Sequence, residues 1–107
     1  MKVRNMVSAR GNKVANQFVI INGTDTTFQS YDTTICSIHC GSAFISLSDY
    51  WDYSTTTARY FYQFLEENLT NYKPCKKDVT RWLELGYIPA GENYLRTDVN
   101  IHHLIVM

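Results

Sequence analysis

The side chains that could hold a metal ion are three cysteines and three histidines in a chain of 107 residues. They are Cys36, His39, Cys40, Cys75, His102 and His103. Thiolates and imidazoles are good zinc ligands, but structural zinc sites usually take closely spaced ligand pairs from turns. On a strand, His39 projects from the opposite face to Cys36 and Cys40. The spacing therefore predicts no metal site, and we expect no cofactor.

Covalent catalysis needs a cysteine or serine beside a histidine base that a third group orients. Cys40 could meet His102 or His103 in the fold, but the chain has no G-x-S-x-G turn and no glycine-rich oxyanion turn. The carboxylate pairs form no acidic cluster, and no phosphate loop or dinucleotide fingerprint is present. We therefore expect that the protein is not an enzyme. The pairs are Asp25/Asp32, Asp49/Asp52 and Glu66/Glu67.

Residues 49–65 read DYWDYSTTTARYFYQFL and crowd large rings into one segment. Tyrosine and tryptophan bring a large contact area with a polar tip, which suits an interface. One alternative is that all of these rings pack internally. The predicted partner-binding residues are Tyr50, Trp51, Tyr53, Arg59, Tyr60, Tyr62 and Trp82.

The basic residues at the start of the chain offer a second kind of contact. No acidic residue precedes Asp25, so residues 1–24 are purely basic, whereas the whole chain is neutral. Such polarity can steer one end toward an anionic partner, and cations beside aromatic rings bind single-stranded nucleic acid. A solvated N-terminal strand is the alternative, and no RRM or GXXG signature is present. The candidate nucleic-acid-binding residues are Lys2, Arg4, Arg10 and Lys13.

Short alternating patterns separated by turn residues predict a four-stranded antiparallel meander over residues 16–48. Alternation divides the third strand into Cys36/Ile38/Cys40, facing inward, and Ile35/Ser37/His39, on a half-polar face. It divides the fourth into inward Ala43/Ile45/Leu47 and outward Phe44/Ser46/Ser48. The strand patterns are QFVII at 17–21, TTFQSY at 26–31, TICSIHC at 34–40 and AFISLS at 43–48.

After the meander, apolar residues recur at steps of three and four, which is typical of a helix. Ser54 is suited to cap a helix of about four turns, whose apolar stripe is Ala58, Phe61, Leu65 and Leu69. Tyr60 and Phe64 flank this stripe. A second, shorter helix follows Pro74 and ends at Gly86, a suitable C-cap. Its apolar face consists of Val79, Trp82 and Leu83.

The whole chain, residues 1–107, fits one domain, because two halves of this size would each bury too little apolar surface. The segment 87–93 reads as a loop, and the tail from residue 94 onward is strand-like and could return to the sheet. The predicted fold class is α+β, with an antiparallel sheet of four to five strands and two helices packed on one face.

Two sequence blocks resemble a group of small proteins encoded by bacteriophages and other mobile elements of bacteria. The first is KVRNMVSARGNKVANQFVI at 2–20 with FQSYDT at 28–33, and the second is WDYSTTTARYFYQFL at 51–65. The shared pattern is K-V-R-N…G-N-K-V-x-N-Q-F followed by W-D-Y-S-x-T-T-x-x-Y-x-x-F-L. The resemblance covers about half of the chain and implies action in the cytoplasm of a bacterial host. Small proteins in that setting include inhibitors of host defence such as anti-CRISPR proteins.

The expected function is therefore stoichiometric inhibition of a host defence macromolecule, such as a CRISPR nuclease or its guide RNA complex. One alternative is a small RNA- or single-stranded-DNA-binding protein, and another is a regulatory homodimer of the mobile element. The start of the chain lacks the apolar core of a secretory signal, and no stretch approaches the ~18 apolar residues of a membrane span. We expect a cytoplasmic protein without membrane contact.

Overall fold

Within the part of the chain that the structure describes, a six-stranded sheet is accompanied by two helices and one short 3-10 helix. This computed structural model describes residues 1–39, 44–68 and 75–86, together with the backbone of residues 103–106. The strands are β1 (Lys2–Val7), β2 (Lys13–Asn22), β3 (Asp25–Ser30), β4 (Thr33–His39), β5 (Phe44–Leu47) and β6 (His103–Val106). The helices are the 3-10 helix Asp49–Asp52, α1 (Thr55–Asn68) and α2 (Lys76–Leu85).

The strands lie in the sheet in the order in which they occur in the chain. β1 to β5 are antiparallel neighbours, so the predicted meander and the α+β class are confirmed. β1 precedes the predicted meander, and β6 pairs with β5 in the parallel direction. A parallel neighbour requires a crossover connection, and the segment that carries α1 and α2 supplies it. The predicted return of the tail to the sheet is also confirmed.

The β2–β3 hairpin turns at the residues that its composition indicated. Asn22 pairs with Asp25 as the last residue of the ladder, and Gly23 has a φ of 64°. That left-handed conformation costs glycine little, because it has no Cβ. Some predictions lie outside the described residues. They concern the Gly41-Ser42 turn, Cys40, Ala43, Leu69, the loop at 87–93, and residues 94–102 and 107 of the strand-like tail.

Alternation places most of the predicted inward side chains of β4 and β5 in the core. The buried inward residues are Cys36, Ile38, Ile45 and Leu47. Ile35 differs from its predicted position on the half-polar face, because the β3–β4 register shifts between Phe28 and Gln29 and Ile35 is fully buried. An extra residue of this kind breaks the period of two, so consecutive side chains can be buried.

α1 packs its ring-bearing face on the inner face of the sheet. Its buried residues are Thr57, Tyr60, Phe61, Phe64 and Leu65. The Phe64 and Phe28 rings stack with centroids 5.7 Å apart. The predicted cap is confirmed, because Ser54 Oγ accepts a hydrogen bond from the Thr57 amide at 3.1 Å. The buried arc is wider than the predicted stripe and is centred nearer to Tyr60 and Phe64, while Ala58 is only partly buried.

Polar side chains fix the position of the first turn of α1 against β3. The hydroxyls of Ser30 and Thr57 lie 2.9 Å apart in the interior, and Ser54 Oγ donates to Thr57 Oγ1 at 3.0 Å. Gln17 is in register with Ser30 and is fully buried, and its side-chain amide has no hydrogen-bond partner among the described residues. The inner face is therefore not uniformly apolar.

α2 packs two side chains into the same core as α1. Val79 and Trp82 are fully buried, and Leu83 packs partly against them. The Cys75 amide donates to Asp78 Oδ2 at 3.1 Å, which satisfies one free donor of the first turn. Gly86 ends the helix with a φ of 78°, as predicted. The predicted apolar face and C-cap of the second helix are confirmed.

Truncation of Phe64 tests the packing of α1 on the sheet. The Phe64→Ala variant should lose about 3–5 kcal/mol of unfolding free energy, because it removes a fully buried ring and leaves a cavity beside Phe28. Urea denaturation followed by circular dichroism measures the loss. The control Tyr50→Ala removes a ring that is 65% exposed, and its unfolding free energy should change by no more than about 0.5 kcal/mol. Equal losses in both variants would contradict this packing.

Candidate binding cleft

The junction between the sheet and α1 decides which aromatic side chains remain accessible. Ser48 caps the 3-10 helix by accepting a hydrogen bond from the Tyr50 amide at 3.1 Å. The short helix turns Trp51 inward against Phe61 and Tyr62, with ring centroids 5.5 Å and 5.8 Å away. One ring of the DYWDY segment therefore anchors the junction, as expected, and its neighbours point away from the core.

Three predicted contact residues are taken up by the core. Trp51, Tyr60 and Trp82 are 4%, 7% and 0% exposed. Their position corrects the prediction that they form a contact surface. Tyr60 lies on the same helical face as Phe61 and Phe64, and Trp82 lies on the face that α2 presents to the core. Burial of these rings stabilises the subunit, and little of their area remains for a partner.

The other predicted contact residues remain accessible. Tyr50 is 65% and Tyr53 is 53% exposed. Arg59 is exposed, and Tyr62 is partly buried at the edge of the core. An exposed ring near a cation is a common arrangement at protein interfaces and at nucleic-acid sites. The accessible part of the predicted surface thus lies at the start of α1.

An open cleft of about 650 Å³ joins most of these accessible side chains, and we call it the aromatic cleft. The 3-10 helix, the first half of α1 and the start of α2 form its walls. A cleft of this size can hold one or two large side chains or one nucleotide base. The lining side chains that bear on its chemistry are Trp51, Asp52, Tyr53, Arg59, Tyr62 and Lys76.

The charges of the aromatic cleft are mixed. Arg59 and Lys76 contribute cations, and Asp52 contributes a carboxylate. Partial burial raises the pKa of Tyr62 above its usual value, and the negative charges of Cys75, Asp52 and Asp78 raise it further. The Tyr62 phenol therefore stays neutral at physiological pH and can act as a hydrogen-bond donor at the edge of the cleft.

A second concavity of about 440 Å³ lies on the other side of Arg59, and we call it the arginine pocket. It forms where the β1–β2 turn meets α1, and Gln63 ties the two together by donating to the Val7 carbonyl at 2.7 Å. Arg10 and Arg59 both line it, and neither forms an ion pair with any described residue. None of its lining residues is acidic. The remaining lining residues are Ser8, Ala9, Tyr60 and Gln63.

The predicted basic group at the start of the chain does not act as one patch. Arg4 is paired with Glu67 of α1 at 3.2 Å, and its side chain is 49% exposed. Lys2 and Lys13 are exposed at the ends of β1 and β2, and neither lines a described concavity. Only Arg10 of the predicted group lines the arginine pocket. The structure thus places Arg10 and Arg59 in the same pocket, although the sequence assigned Arg59 to the aromatic contact surface.

Sequence reasoning did not find Lys76 or Asp52 as cleft residues. Lys76 reaches the aromatic cleft only because α2 packs beside the 3-10 helix, and no local pattern reports that packing. From the sequence alone, Asp52 was only a member of the carboxylate pair Asp49/Asp52. Its place directly between Trp51 and Tyr53 was the one signal that could have indicated a cleft position.

Cys36 and His39 lie on opposite faces of β4, as alternation predicted. Cys40, His102 and the side chain of His103 lie outside the described residues. Cys36 is a free thiol in the core, and burial raises its pKa far above the usual value, so it stays protonated and unreactive. His39 projects from the opposite face and contacts Asp25 and Ser46. Among the described residues, no group of three or more His, Cys, Asp or Glu side chains could hold a metal ion.

Comparison with known proteins identifies the family to which this sequence belongs. Residues 1–81 match the model described as "Family of unknown function (DUF8033)", which is most of the chain and includes all residues of both concavities. The chain belongs to this family. No curated protein and no solved structure matches it. No helix in the described part of the chain has the length and apolar character that a membrane span requires.

The raised pKa of Tyr62 predicts a change in stability at alkaline pH. The unfolded chain ionises this phenol near pH 10, whereas the folded protein resists ionisation, so its contribution is complete below about pH 10 and declines above it. Relative to Tyr62→Phe, the wild type should therefore keep its unfolding free energy up to about pH 10 and lose it as the pH rises further. Urea denaturation at each pH measures the difference.

The variant Asp52→Asn provides the matched comparison for this titration. It removes one of the negative charges that raise the Tyr62 pKa, so the loss of stability should become smaller. A stability difference between wild type and Tyr62→Phe that stays constant across the pH range would contradict the prediction.

Proposed function

We propose that this protein is a binding protein that holds a partner macromolecule in the aromatic cleft and acts there by non-catalytic binding. The observation that carries the proposal is the half-exposed Tyr53 ring beside the exposed Arg59 in an open cleft of about 650 Å³. The Trp51 side chain in the wall of the cleft is fixed by packing on the buried Phe61 ring, so it loses little side-chain entropy when the cleft is covered. A pre-formed site of this kind suits stoichiometric binding.

The proposed partner is a protein or ribonucleoprotein of a bacterial defence system, such as a CRISPR nuclease or its guide complex. The support for this choice is the resemblance of residues 2–20 and 51–65 to small proteins of phages and mobile elements. Residues 51–65 also supply all but Lys76 of the aromatic-cleft lining. The segment that carries the resemblance is therefore the segment that builds the cleft. In this proposal the protein acts in the host cytoplasm by occupying a surface that the defence complex needs.

A second candidate function is binding of single-stranded RNA or DNA, and the arginine pocket favours it. Arg10 and Arg59 form no ion pair within the part of the chain that the structure describes, and none of the described residues that line their concavity is a carboxylate. Guanidinium groups match phosphate oxygens in geometry and charge. Because Arg59 also lines the aromatic cleft, a strand could place a phosphate in the pocket and stack a base on Tyr53.

Cleft variants test the first function. Tyr53→Ala and Arg59→Ala should each weaken binding to a defence complex by about 2 kcal/mol, roughly 30-fold in Kd, because they remove a ring and a cation at the centre of the contact. Tyr31→Asn is the matched control: it removes a ring that is 48% exposed and lies outside the cleft, and Asn tolerates the left-handed backbone there. Purified CRISPR effector complexes are titrated against each variant by biolayer interferometry.

Unchanged affinity in both cleft variants would contradict the proposed site, and inhibition at clearly substoichiometric amounts would contradict stoichiometric binding. Sedimentation of the free protein tests the homodimer alternative. A mass of twice 12.4 kDa that returns to 12.4 kDa in Tyr53→Ala would assign the cleft to a second copy of this chain.

Salt dependence tests the nucleic-acid function. If phosphates bind in the arginine pocket, affinity for a single-stranded oligonucleotide should fall steeply between about 50 and 300 mM salt, because bound counterions are released on binding. Arg10→Ala should weaken binding and lower the slope of log K against log salt by about 1. Lys13→Ala removes a cation outside the pocket and should have the smaller effect. Fluorescence anisotropy measures both, and a salt-independent affinity or equal effects of the two variants would contradict binding in the pocket.

A further inference from the structure

Three polar side chains form a continuous chain on the sheet face opposite the helices. His39 Nδ1 lies 3.2 Å from Asp25 Oδ1, and His39 Nε2 lies 2.9 Å from Ser46 Oγ. Asp25 is directly opposite His39 in the β3–β4 register, and Ser46 is the diagonal neighbour of His39 on β5. The adjacent inward residues Ile38 and Ile45 belong to the core, so this chain lies on the other face.

The carboxylate of Asp25 determines which nitrogen of His39 carries the proton. An ionised carboxylate can only accept hydrogen bonds, so the Nδ1 that faces Asp25 must be the N–H donor. In the neutral ring, Nε2 is then the acceptor, and the hydroxyl of Ser46 must donate to it. The hydroxyl hydrogen of Ser46 therefore points at a base, and the residue as a whole is 8% exposed, so a reagent can reach only a small part of it.

The imidazole ring is held on a second side by an aromatic contact. Phe44 stacks on His39 with ring centroids 4.2 Å apart and an interplanar angle of 18°. The side chain of His39 remains 23% exposed, so the base is oriented and still reachable from solvent. A ring held both by a carboxylate and by a stacked neighbour is pre-organised for proton transfer, which lowers the cost of reaching the reactive geometry.

A second serine lies on the strand beside Ser46. Ser37 is directly opposite Ser46 in the β4–β5 register, where the Cβ atoms of a pair lie about 4.5–5.5 Å apart. Its Oγ is 2.7 Å from Thr27 Oγ1, so Thr27 can orient it. The amides of β4 and β5 take part in the sheet, and a developing oxyanion near Ser46 would depend on the Ser37 hydroxyl. A side-chain hydroxyl can stabilise an oxyanion, although a single donor supports only slow turnover.

The geometry points to an activity beyond the proposed binding function: Ser46 is a nucleophile toward activated acyl esters, with His39 as its general base and Asp25 as a positioning residue. As Ser46 Oγ bonds to the acyl carbon, its proton moves to His39 Nε2. The bond from that carbon to the leaving oxygen then breaks, and the leaving group takes the proton from Nε2. Water repeats the sequence on the acyl-serine, releases the acid and regenerates Ser46, so no oxidant or reductant is needed.

A fluorophosphonate probe tests the nucleophile directly. Attack by Ser46 forms an oxygen–phosphorus bond, expels fluoride and passes the proton to His39. After incubation of the wild-type protein with the probe, peptide mapping by mass spectrometry should find the label on Ser46. His39→Gln keeps a polar side chain but removes the base, and it should label at least ~100-fold more slowly. Thr33→Ala removes an exposed hydroxyl at the start of β4, outside this group and outside both concavities, and should label at the wild-type rate.

The positioning role of Asp25 has its own readout. Asp25→Asn can donate to Nδ1 and so turn Nε2 into a donor, which should slow labelling as much as His39→Gln does. Asp25→Glu keeps a carboxylate and should restore most of the rate. Circular dichroism of each variant separates this effect from loss of folding. Hydrolysis of p-nitrophenyl acetate should follow the same order of variants.

Peptide mapping of the wild-type protein decides the proposal without any variant. Label concentrated on Ser46 supports it, and label absent from Ser46 overturns it. Equal labelling rates in folded wild type, His39→Gln and Asp25→Asn would also overturn it, since the serine would then react without a base. Neither result bears on the aromatic cleft, so the binding function and this activity are tested independently.

Discussion

Burial of the ring face of α1 on the inner face of the sheet is the constraint on which the rest of the structure depends. A helix with 3.6 residues per turn that turns Tyr60, Phe61 and Phe64 inward must turn Arg59 and Gln63 toward its flanks. Arg59 therefore stands between two concavities, one formed with α2 and the 3-10 helix and the other with the β1–β2 turn. The aromatic cleft and the arginine pocket are therefore both consequences of core packing.

The same packing explains why so many rings occur in one segment. Several of them close a single core beneath α1, where each buried large side chain contributes about 1.5–3 kcal/mol. Trp51 serves the junction by packing against Phe61 and Tyr62. Tyr50 and Tyr53 are left outside because the 3-10 helix turns their positions away from the core. The segment is thus partly structural and partly an accessible surface, and that division sets the size of the cleft.

Packing of α1 on the inner face also determines which side chains lie on the outer face of the sheet. Because Cys36, Ile38 and Ile45 must face α1, their neighbours Ser37, His39 and Ser46 must face away. A register slip of one residue would expose the core set and separate the polar set at once. The bulge at Ile35 adds an apolar residue to the core and leaves the pairing of Ser37 and His39 with β5 regular. The polar chain of Asp25, His39 and Ser46 is therefore as well specified as the core itself.

The sequence by itself determined the local elements: the meander, the Ser54 and Gly86 caps, and the inward positions of Cys36, Ile38, Ile45 and Leu47. These features depend on patterns within about ten residues, where turn chemistry and periodicity act directly. The tertiary structure alone decided that the apolar face with Trp82 packs into this subunit's core and does not face a partner, that Lys76 reaches the aromatic cleft and that Arg10 and Arg59 line one pocket. It also decided that Asp25, His39 and Ser46 meet. Periodicity predicts which way a side chain faces. The residues that it contacts depend on strand register and helix packing between distant parts of the chain. Those follow from the burial of apolar surface by the whole fold, and no local pattern reports them.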